Sequence, residues 1–217
     1  MASSPDAAGP AAVPHGGLGG EIGSEPTLVV VRGNSGSGKT TTAREVRRRY
    51  GRGCALIEQD HLRRIILREH GGLGPDAVAP SFITATTRAA LEGGYHVVLE
   101  GILDTGEYGG PLRRLIAEHT GPAACFYLDV SFDETVRRHR RREEPIAVTA
   151  DMMRGWYTSR DLLGVPGERV ISETTGFEEA VTEILHGSGL AAAAALTPCP
   201  ARCPRCAAKS SGSSAVV

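Results

Sequence analysis

One stretch of the chain, from residue 33 to residue 40, has the residue types and spacing that phosphate binding requires. It fits the pattern G-x-x-x-x-G-K-[ST] at every fixed position, and the apolar run 27–31 precedes it. Glycines tolerate the backbone angles that turn N–H groups inward, and a helix opening at Lys39 adds its N-terminal amides. Lys39 is predicted to reach the β and γ phosphates, and the Thr40 hydroxyl to hold Mg²⁺. The residues predicted to bind the nucleotide are Gly33, Asn34, Ser35, Gly36, Ser37, Gly38, Lys39 and Thr40.

Two carboxylates follow predicted strands at the edge of the sheet where ligands of open α/β domains bind. Asp60 comes directly after the second strand, and Glu100 ends the third. Asp60 is predicted to be a catalytic general base that accepts the proton of an attacking hydroxyl; the alternative is a helix N-cap. Glu100 is predicted to bind substrate hydroxyls or to order water on Mg²⁺. Its alternative is a partly exposed loop carboxylate.

The most basic segment, residues 137–142, follows the fourth predicted strand. On a helix, Arg138, Arg141 and Arg142 share one face. Arg138 and Arg141 are predicted to be catalytic, stabilising charge on the transferred phosphoryl group, and Arg142 to bind the nucleotide. A solvated helix face is the alternative. Pro145 ends the helix, so residues 143–149 are predicted to form a short lid.

Three further residues are predicted to contact the acceptor substrate. Arg63 and Arg64 follow Asp60 on the same predicted helix, and Tyr157 comes soon after the lid. Two alternatives stay open, since the arginines would equally serve as solvated surface residues and the tyrosine would equally pack a helix onto the sheet. The histidines show no ligand-like clustering, so no metal is expected beyond the Mg²⁺ of the nucleotide.

Composition limits the classes of protein. The chain has 217 residues, 41% of them hydrophobic, and a formal net charge of −1, which gives no global attraction for nucleic acid or anionic membranes. No apolar stretch reaches the roughly 20 residues needed to span a bilayer, and no secretory signal is evident, so a cytoplasmic protein is expected. Cys54 and Cys125 fall in apolar strand-like runs as buried free thiols. The C-terminal segment contains three more cysteines, Cys199, Cys203 and Cys206. A closed structural zinc site needs four protein ligands, so these three thiols are too few to form one.

Short apolar runs alternate with segments of helical period between residues 26 and 187. This pattern predicts one doubly wound α/β domain, a three-layer α/β/α P-loop NTPase fold with a five-stranded parallel sheet. Gly, Ala, Pro and Ser dominate residues 1–25 and 188–217, which are predicted to be flexible tails. The strands are predicted at 27–32, 54–58, 95–100, 123–129 and 169–171. Nothing in the spacing assigns a role to Glu58, which ends the second strand.

The helical period also predicts which side chains share a helix face. After the second strand, Leu62, Ile65, Ile66 and Glu69 are predicted to share one face of a helix. The next helix is marked by Val78, Phe82, Ala85 and Ala89.

These features together resemble a group of small P-loop kinases that includes chloramphenicol phosphotransferase, the zeta toxins and related predicted kinases. The resemblance covers about residues 27–187 and rests on the phosphate-binding pattern, on IEQDHL at 57–62, on VLEG at 98–101 and on the arginine-rich helix before a lid. In that group the aspartate after the second strand is the general base, which corresponds to Asp60. The lid-helix arginines correspond collectively to Arg138, Arg141 and Arg142.

The expected function is an ATP- and Mg²⁺-dependent kinase that phosphorylates a hydroxyl of a small molecule such as an antibiotic, nucleoside or sugar derivative. A zeta-like kinase acting on a nucleotide sugar is an alternative. So is a regulatory ATPase that changes shape without a transferable acceptor. A polynucleotide kinase would need a wider basic surface than the near-neutral charge indicates.

Overall fold

The computed structural model describes residues 25–74, 76–141 and 148–197. Five parallel strands form one sheet in the order β2-β3-β1-β4-β5. The three-layer α/β fold predicted from the sequence is therefore confirmed, with each strand within one residue of its predicted bounds. The strands are β1 (Leu28–Gly33), β2 (Cys54–Glu58), β3 (His96–Gly101), β4 (Ala123–Asp129) and β5 (Arg169–Ser172).

Helices connect successive strands and cover both faces of the sheet, as parallel connections require. A π-helical turn (Leu62–Ile66) continues the short α2, and a 3₁₀ turn (Leu190–Ala192) follows α7. The helices are α1 (Lys39–Tyr50), α2 (Gln59–His61), α3 (Ala79–Glu92), α4 (Gly109–Glu118), α5 (Phe132–Arg140), α6 (Ala150–Trp156) and α7 (Phe177–Gly187).

Alternation along β1 divides the core between the two faces. Leu28 and Val30 pack with α3 and α4, whereas Val29 and Val31 pack with α1 and α7. Neighbouring strands β1 and β3 send their following helices to opposite faces, since α1 covers one face and α4 the other. This divergence leaves a crevice outside the carboxyl ends of β1 and β3, where doubly wound folds bind ligands.

The buried cysteines agree with their prediction as core thiols. Cys54 and Cys125 are free and buried, and burial raises the pKa of each thiol to about 12. Both groups therefore stay protonated at neutral pH and act as small apolar side chains.

Helix α3 buries a different face from the one predicted. The expected face consisted of Val78, Phe82, Ala85 and Ala89, but the side chains buried against the sheet are those of Ala79, Ile83, Thr87 and Leu91. A buried threonine is tolerated here because its hydroxyl donates to the Ile83 carbonyl at 2.9 Å. Hydrophobic periodicity missed the face because one of its four members is polar.

The segment after Asp60 also differs from its prediction. Leu62, Ile65, Ile66 and Glu69 were expected to share one face of an α-helix. The chain instead makes a π-helical turn, and Ile65 and Ile66 are 64% and 53% exposed. The wider π-turn shifts successive side chains around the axis, so the apolar pair does not reach the core.

The chain beyond α7 stays in contact with the domain. Leu190 is buried in the core, the His96 ring contacts the Ala194 carbonyl through Nε2 at 2.9 Å, and the Thr197 hydroxyl donates to the Gly94 carbonyl at 2.7 Å. These contacts differ from the predicted tail beginning at 188, since residues 188–197 pack on the domain. Residues 1–24 and 198–217, with the three C-terminal cysteines, lie outside the described part of the chain. In the described part, each helix is either too short or too polar to cross a bilayer.

Candidate active site

The loop between β1 and α1 has the backbone shape of an anion cradle. Gly36 and Gly38 adopt φ values of +83° and +96°, a region that side-chain-bearing residues rarely enter. A Cβ at Gly36 would lie 2.6 Å from the Thr135 carbonyl oxygen of α5, so this position has no room for a side chain. The loop thus turns its backbone tightly between β1 and α5 and ends at the N-terminus of α1, where amides and helix dipole favour an anion.

Lys39 and Thr40 open α1 on the crevice side. The Lys39 ammonium group donates to the Asn34 carbonyl at 3.4 Å, so it lies back across the loop. The Thr40 hydroxyl donates to the Glu100 carboxylate at 3.0 Å. The second contact joins residues 60 positions apart and links the start of α1 to the end of β3.

Glu100 is the buried carboxylate of the site, only 2% exposed. Burial raises the pKa of its carboxyl above the ordinary value of 4.5, and the nearby Lys39 ammonium and the Thr40 hydrogen bond pull the pKa partly back. A buried carboxylate beside a hydroxyl offers the oxygen ligands that Mg²⁺ prefers. Its predicted alternative, a partly exposed loop position, is wrong.

Glu58 is the β2 neighbour of Glu100 in the sheet register. Its carboxylate takes two hydrogen bonds from Arg44 of α1, at 2.5 and 3.1 Å. The negative charge of Glu58 raises the pKa of the Glu100 carboxyl, and the positive charge of Arg44 lowers it. The sequence assigned no role to Glu58. In the structure its ion pair with Arg44 links α1 to β2.

Two polar side chains of the loop face inward. The Asn34 amide donates to the Thr158 carbonyl at 2.8 Å and accepts from the Thr158 N–H at 3.1 Å, so this side chain anchors the loop. The Ser37 hydroxyl is buried and has no hydrogen-bond partner among the described residues. Ser35 is half-buried, and Gly33 has no room for a Cβ, which would lie 2.9 Å from the Leu128 carbonyl oxygen.

The arginines predicted to share one helix face, Arg138 and Arg141, have different surroundings in the structure. Arg138 donates through Nη1 to the Ser37 carbonyl at 2.9 Å and through Nε to Glu134 at 2.6 Å, so its guanidinium group lies against the phosphate loop. Arg141 caps the end of α5 and is exposed. Arg142 and most of the predicted lid lie outside the described residues.

Asp60 lies just beyond the carboxyl end of β2 with its side chain 70% exposed. Its carboxylate accepts from Arg64, one turn later, at 2.5 Å. Asp60 makes no capping hydrogen bond at the start of α2, so the alternative of an N-cap is wrong. The carboxylate is accessible from solvent, and Arg64 is the group that orients it.

Two of the side chains predicted to contact the acceptor, Arg63 and Tyr157, form hydrogen bonds with the protein backbone. Arg63 was expected on a helix surface but is 7% exposed; its Nη2 donates to the Gly71 carbonyl and its Nε has no partner among the described residues. The wide π-turn carries this side chain inward. The Tyr157 hydroxyl donates to the Val130 carbonyl at 3.1 Å, and its ring packs edge-on against Phe132. Tyr157 therefore packs the end of α6 against the segment after β4, which agrees with its packing alternative; its contact with the acceptor stays a prediction.

Sequence reasoning missed a buried ion pair behind the loop. Arg32, the residue before Gly33, is fully buried and donates to the Leu103 carbonyl and to the Asp161 carboxylate, each at 2.8 Å. Asp161 in turn accepts from the Thr105 N–H at 2.9 Å. The network ties β1 to the loop after β3 and to the segment after α6. The available signal was an arginine at the end of an otherwise apolar strand.

Metal ligands outside the nucleotide site were not expected. In the parts of the chain that the structure describes, no three histidine, cysteine or acidic side chains come together as a metal cluster. The His139 ring contacts the Val148 carbonyl at 2.9 Å, and His96 is buried at the start of β3.

The parallel sheet, the glycine cradle and the helix opening with Lys39 and Thr40 define a P-loop NTPase fold. Residues 28–156 match the family model described as an AAA domain (AAA_33), and the chain belongs to this family. No curated protein sequence matches the chain significantly.

Solved structures of small kinases share the fold. A gluconokinase from Sinorhizobium meliloti 1021 is 22% identical, with a TM-score of 0.55 over 78% of this chain and 94% of that one. The APS kinase of Mycobacterium tuberculosis, solved with AMPPNP and APS, is 19% identical, with a TM-score of 0.61 over 75% and 97%. A sugar kinase from Janibacter sp. HTCC2649 is 20% identical, with a TM-score of 0.61 over 78% and 99%. At these identities the likeness establishes the fold alone.

Proposed function

We propose that this protein is an ATP- and Mg²⁺-dependent kinase that phosphorylates a hydroxyl group of a small molecule. The observation that carries the proposal is the hydrogen bond between Thr40 and Glu100, directly after a glycine cradle and at the crevice of the sheet. A cradle alone fits any phosphate. A hydroxyl and a buried carboxylate beside it add the ligands of a divalent cation, which phosphoryl transfer requires.

The residues fit a nucleotide with its cation. Backbone amides of residues 33–40 would hold the β and γ phosphates, Lys39 would turn from the Asn34 carbonyl toward them, and Thr40 would bind the cation. ATP supplies the transferable γ-phosphoryl group, and Mg²⁺ neutralises the charge on its oxygens. Glu100 acts through Thr40 and through water, because its carboxylate already accepts the Thr40 hydroxyl.

Asp60 is proposed as the general base. It lies past the end of β2, two strands from β1 in the sheet, and its carboxylate is open to an incoming acceptor. The acceptor hydroxyl would replace one contact of Arg64, and Asp60 would take its proton as the phosphoryl group transfers. Arg64 would then orient Asp60 and lie beside the acceptor. Arg63 has a positioning role, since it fastens the π-turn to the Gly71 backbone.

The arginines of α5 are proposed to face the transferred group. Arg138 already touches the loop through the Ser37 carbonyl, so a small rotation of its guanidinium group would bring it to the phosphates. Arg141 and Arg142 follow at the point where the predicted lid begins. Guanidinium groups in this position would balance negative charge that spreads over the phosphoryl oxygens.

The proposal is tested by incubating the full chain with radiolabelled ATP, Mg²⁺ and a panel of hydroxylated antibiotics, nucleosides and sugars, with products identified by mass. A kinase yields a phosphorylated acceptor, and Lys39→Ala abolishes it. Arg114→Ala, which changes an exposed arginine of α4, is the matched control and leaves transfer unchanged. Hydrolysis of ATP with no phosphorylated acceptor across the panel would support a regulatory ATPase instead.

A further inference from the structure

A groove of about 490 Å³ lies between α5 and α6, apart from the phosphate loop. Arg138 points from α5 to the Ser37 carbonyl of the loop. Val136 and Arg140, which line the groove, are two residues before and after Arg138 and so lie on the opposite side of the helix. The kinase mechanism proposed above uses no residue of α6, and of the residues that line this groove it uses Arg141 alone.

The groove is strongly basic although the chain as a whole is not. Among the described residues, four guanidinium groups line it, against the single carboxylate of Asp133. One of the four, Arg137, donates to Glu134 at 2.5 Å. Within the described residues, the other three have no carboxylate partner: Arg140, Arg141 and Arg154. The net charge of the whole chain is −1, so this concentration of positive charge is local.

One of these groups is held in place by an aromatic ring. The Arg154 guanidinium group lies over the face of Phe132, 3.8 Å from the ring centroid, and Tyr157 packs edge-on against the same ring. Stacking leaves the N–H groups at the edge of the guanidinium plane free to donate. Two of these N–H groups can donate to two oxygens of one phosphate. The same stacking occupies the ring that a nucleobase would need, so the groove suits phosphate groups and offers no stacking platform for bases.

We propose that this groove is a second anion site, which binds a small ligand carrying two or more phosphate groups. Its volume falls within the roughly 300–1,000 Å³ of small-molecule sites. Several guanidinium groups that lack a carboxylate partner among the described residues favour linked phosphates over a single one, because one ligand then neutralises more than one charge. The ligand is recognised through its phosphate chain, and bases or sugars attached to it project into solvent.

Inorganic tripolyphosphate is the probe, titrated calorimetrically into the full chain. The wild type is expected to bind two equivalents, one at the phosphate loop and one in the groove. Lys39→Ala is expected to retain the groove equivalent, and adding Arg140→Ala to that variant is expected to weaken it about tenfold. Arg140 is exposed, so thermal unfolding should be unchanged, and Arg114→Ala in the same background is the matched control.

Two results would overturn the groove site. One is that Lys39→Ala abolishes tripolyphosphate binding completely, which would assign all of it to the phosphate loop. The other is that Lys39→Ala retains binding which Arg140→Ala and Arg154→Gln leave unaltered in affinity and stoichiometry. Neither result bears on kinase activity, which is measured separately by transfer to an acceptor.

Discussion

The side chain of Asn34 makes a pair of hydrogen bonds to the backbone of Thr158, donating to its carbonyl at 2.8 Å and accepting from its N–H at 3.1 Å. Asn34 belongs to the phosphate loop, and Thr158 follows α6 by two residues. The two are 124 positions apart. The pair therefore joins the phosphate loop to the segment after α6, and both contact the Tyr127 hydroxyl of β4.

We expect Asn34→Ala to destabilise the domain by about 1–2 kcal/mol, because it removes the two hydrogen bonds to the Thr158 backbone and the one that the amide donates to the Tyr127 hydroxyl at 3.3 Å. Urea unfolding followed by circular dichroism measures the change. Asn34→Asp is the matched variant, since it keeps the acceptor for the Thr158 N–H and loses the donor. An Asn34→Ala protein with the unfolding midpoint of the wild type would show that the pair contributes nothing.

Removal of Arg32 has a larger expected cost. Arg32→Met leaves the Asp161 carboxylate and the Leu103 carbonyl without their buried partner, so we expect a loss of about 3–5 kcal/mol in the free energy of unfolding. Arg44→Gln, which breaks an exposed pair with Glu58, should cost under about 1 kcal/mol in the same assay. Comparable effects from the two variants would mean that burial of the Arg32 network does not matter.

Glu100 gives a prediction in which stability and activity separate. Glu100→Gln removes the carboxylate that contacts Thr40, and we expect kcat/KM at subsaturating Mg²⁺ to fall about 10- to 100-fold. Folding should not suffer, because an uncharged amide avoids the cost of burying a charge. Transfer assays and thermal unfolding on the same preparation measure the two effects. Loss of activity together with unfolding would contradict this separation.

The same carboxyl predicts a pH dependence of stability. Its pKa in the folded protein lies above the ordinary 4.5, so the folded state binds its proton more tightly than the unfolded state. Its stabilising contribution is fully present below pH 4.5 and is lost as the pH rises through the raised pKa. The free energy of unfolding of the wild type minus that of Glu100→Gln should therefore decrease with rising pH across this window. A flat difference between pH 4 and pH 8, measured by urea unfolding, would show that Glu100 titrates normally.

Asp60 is tested through the rate of transfer. With an amide in place of the general base, Asp60→Asn should lower kcat by about 100-fold or more while nucleotide binding is retained. Arg64→Gln keeps the carboxylate and removes only its orienting partner, so its effect on kcat should be much smaller. Full transfer activity in Asp60→Asn, with normal binding of AMPPNP, would refute the assignment of the base.

The phosphate loop and the five strands could be predicted from sequence because each depends on local order. A G-x-x-x-x-G-K-[ST] pattern specifies its own backbone, and apolar runs of strand length bounded by turns are readable without knowing their neighbours. Periodicity failed where a single residue departed from it, as at Thr87 in α3 and in the π-turn after Asp60. In α3 a hydrogen bond within the helix lets a polar residue lie on the buried face, and after Asp60 the π-turn changes which side chains face the core.

Tertiary structure alone decided which polar groups meet. The pairing of Thr40 with Glu100, of Asn34 with Thr158 and of Arg32 with Asp161 depends on strand order and on the path of the connecting segments. Local sequence determines the conformation of each element, but long-range contacts arise only when crossover connections bring the carboxyl ends of distant strands to one edge. For that reason the sequence determined the fold and the nucleotide loop, whereas the surroundings of Arg63, Tyr157 and Glu100 required the folded chain.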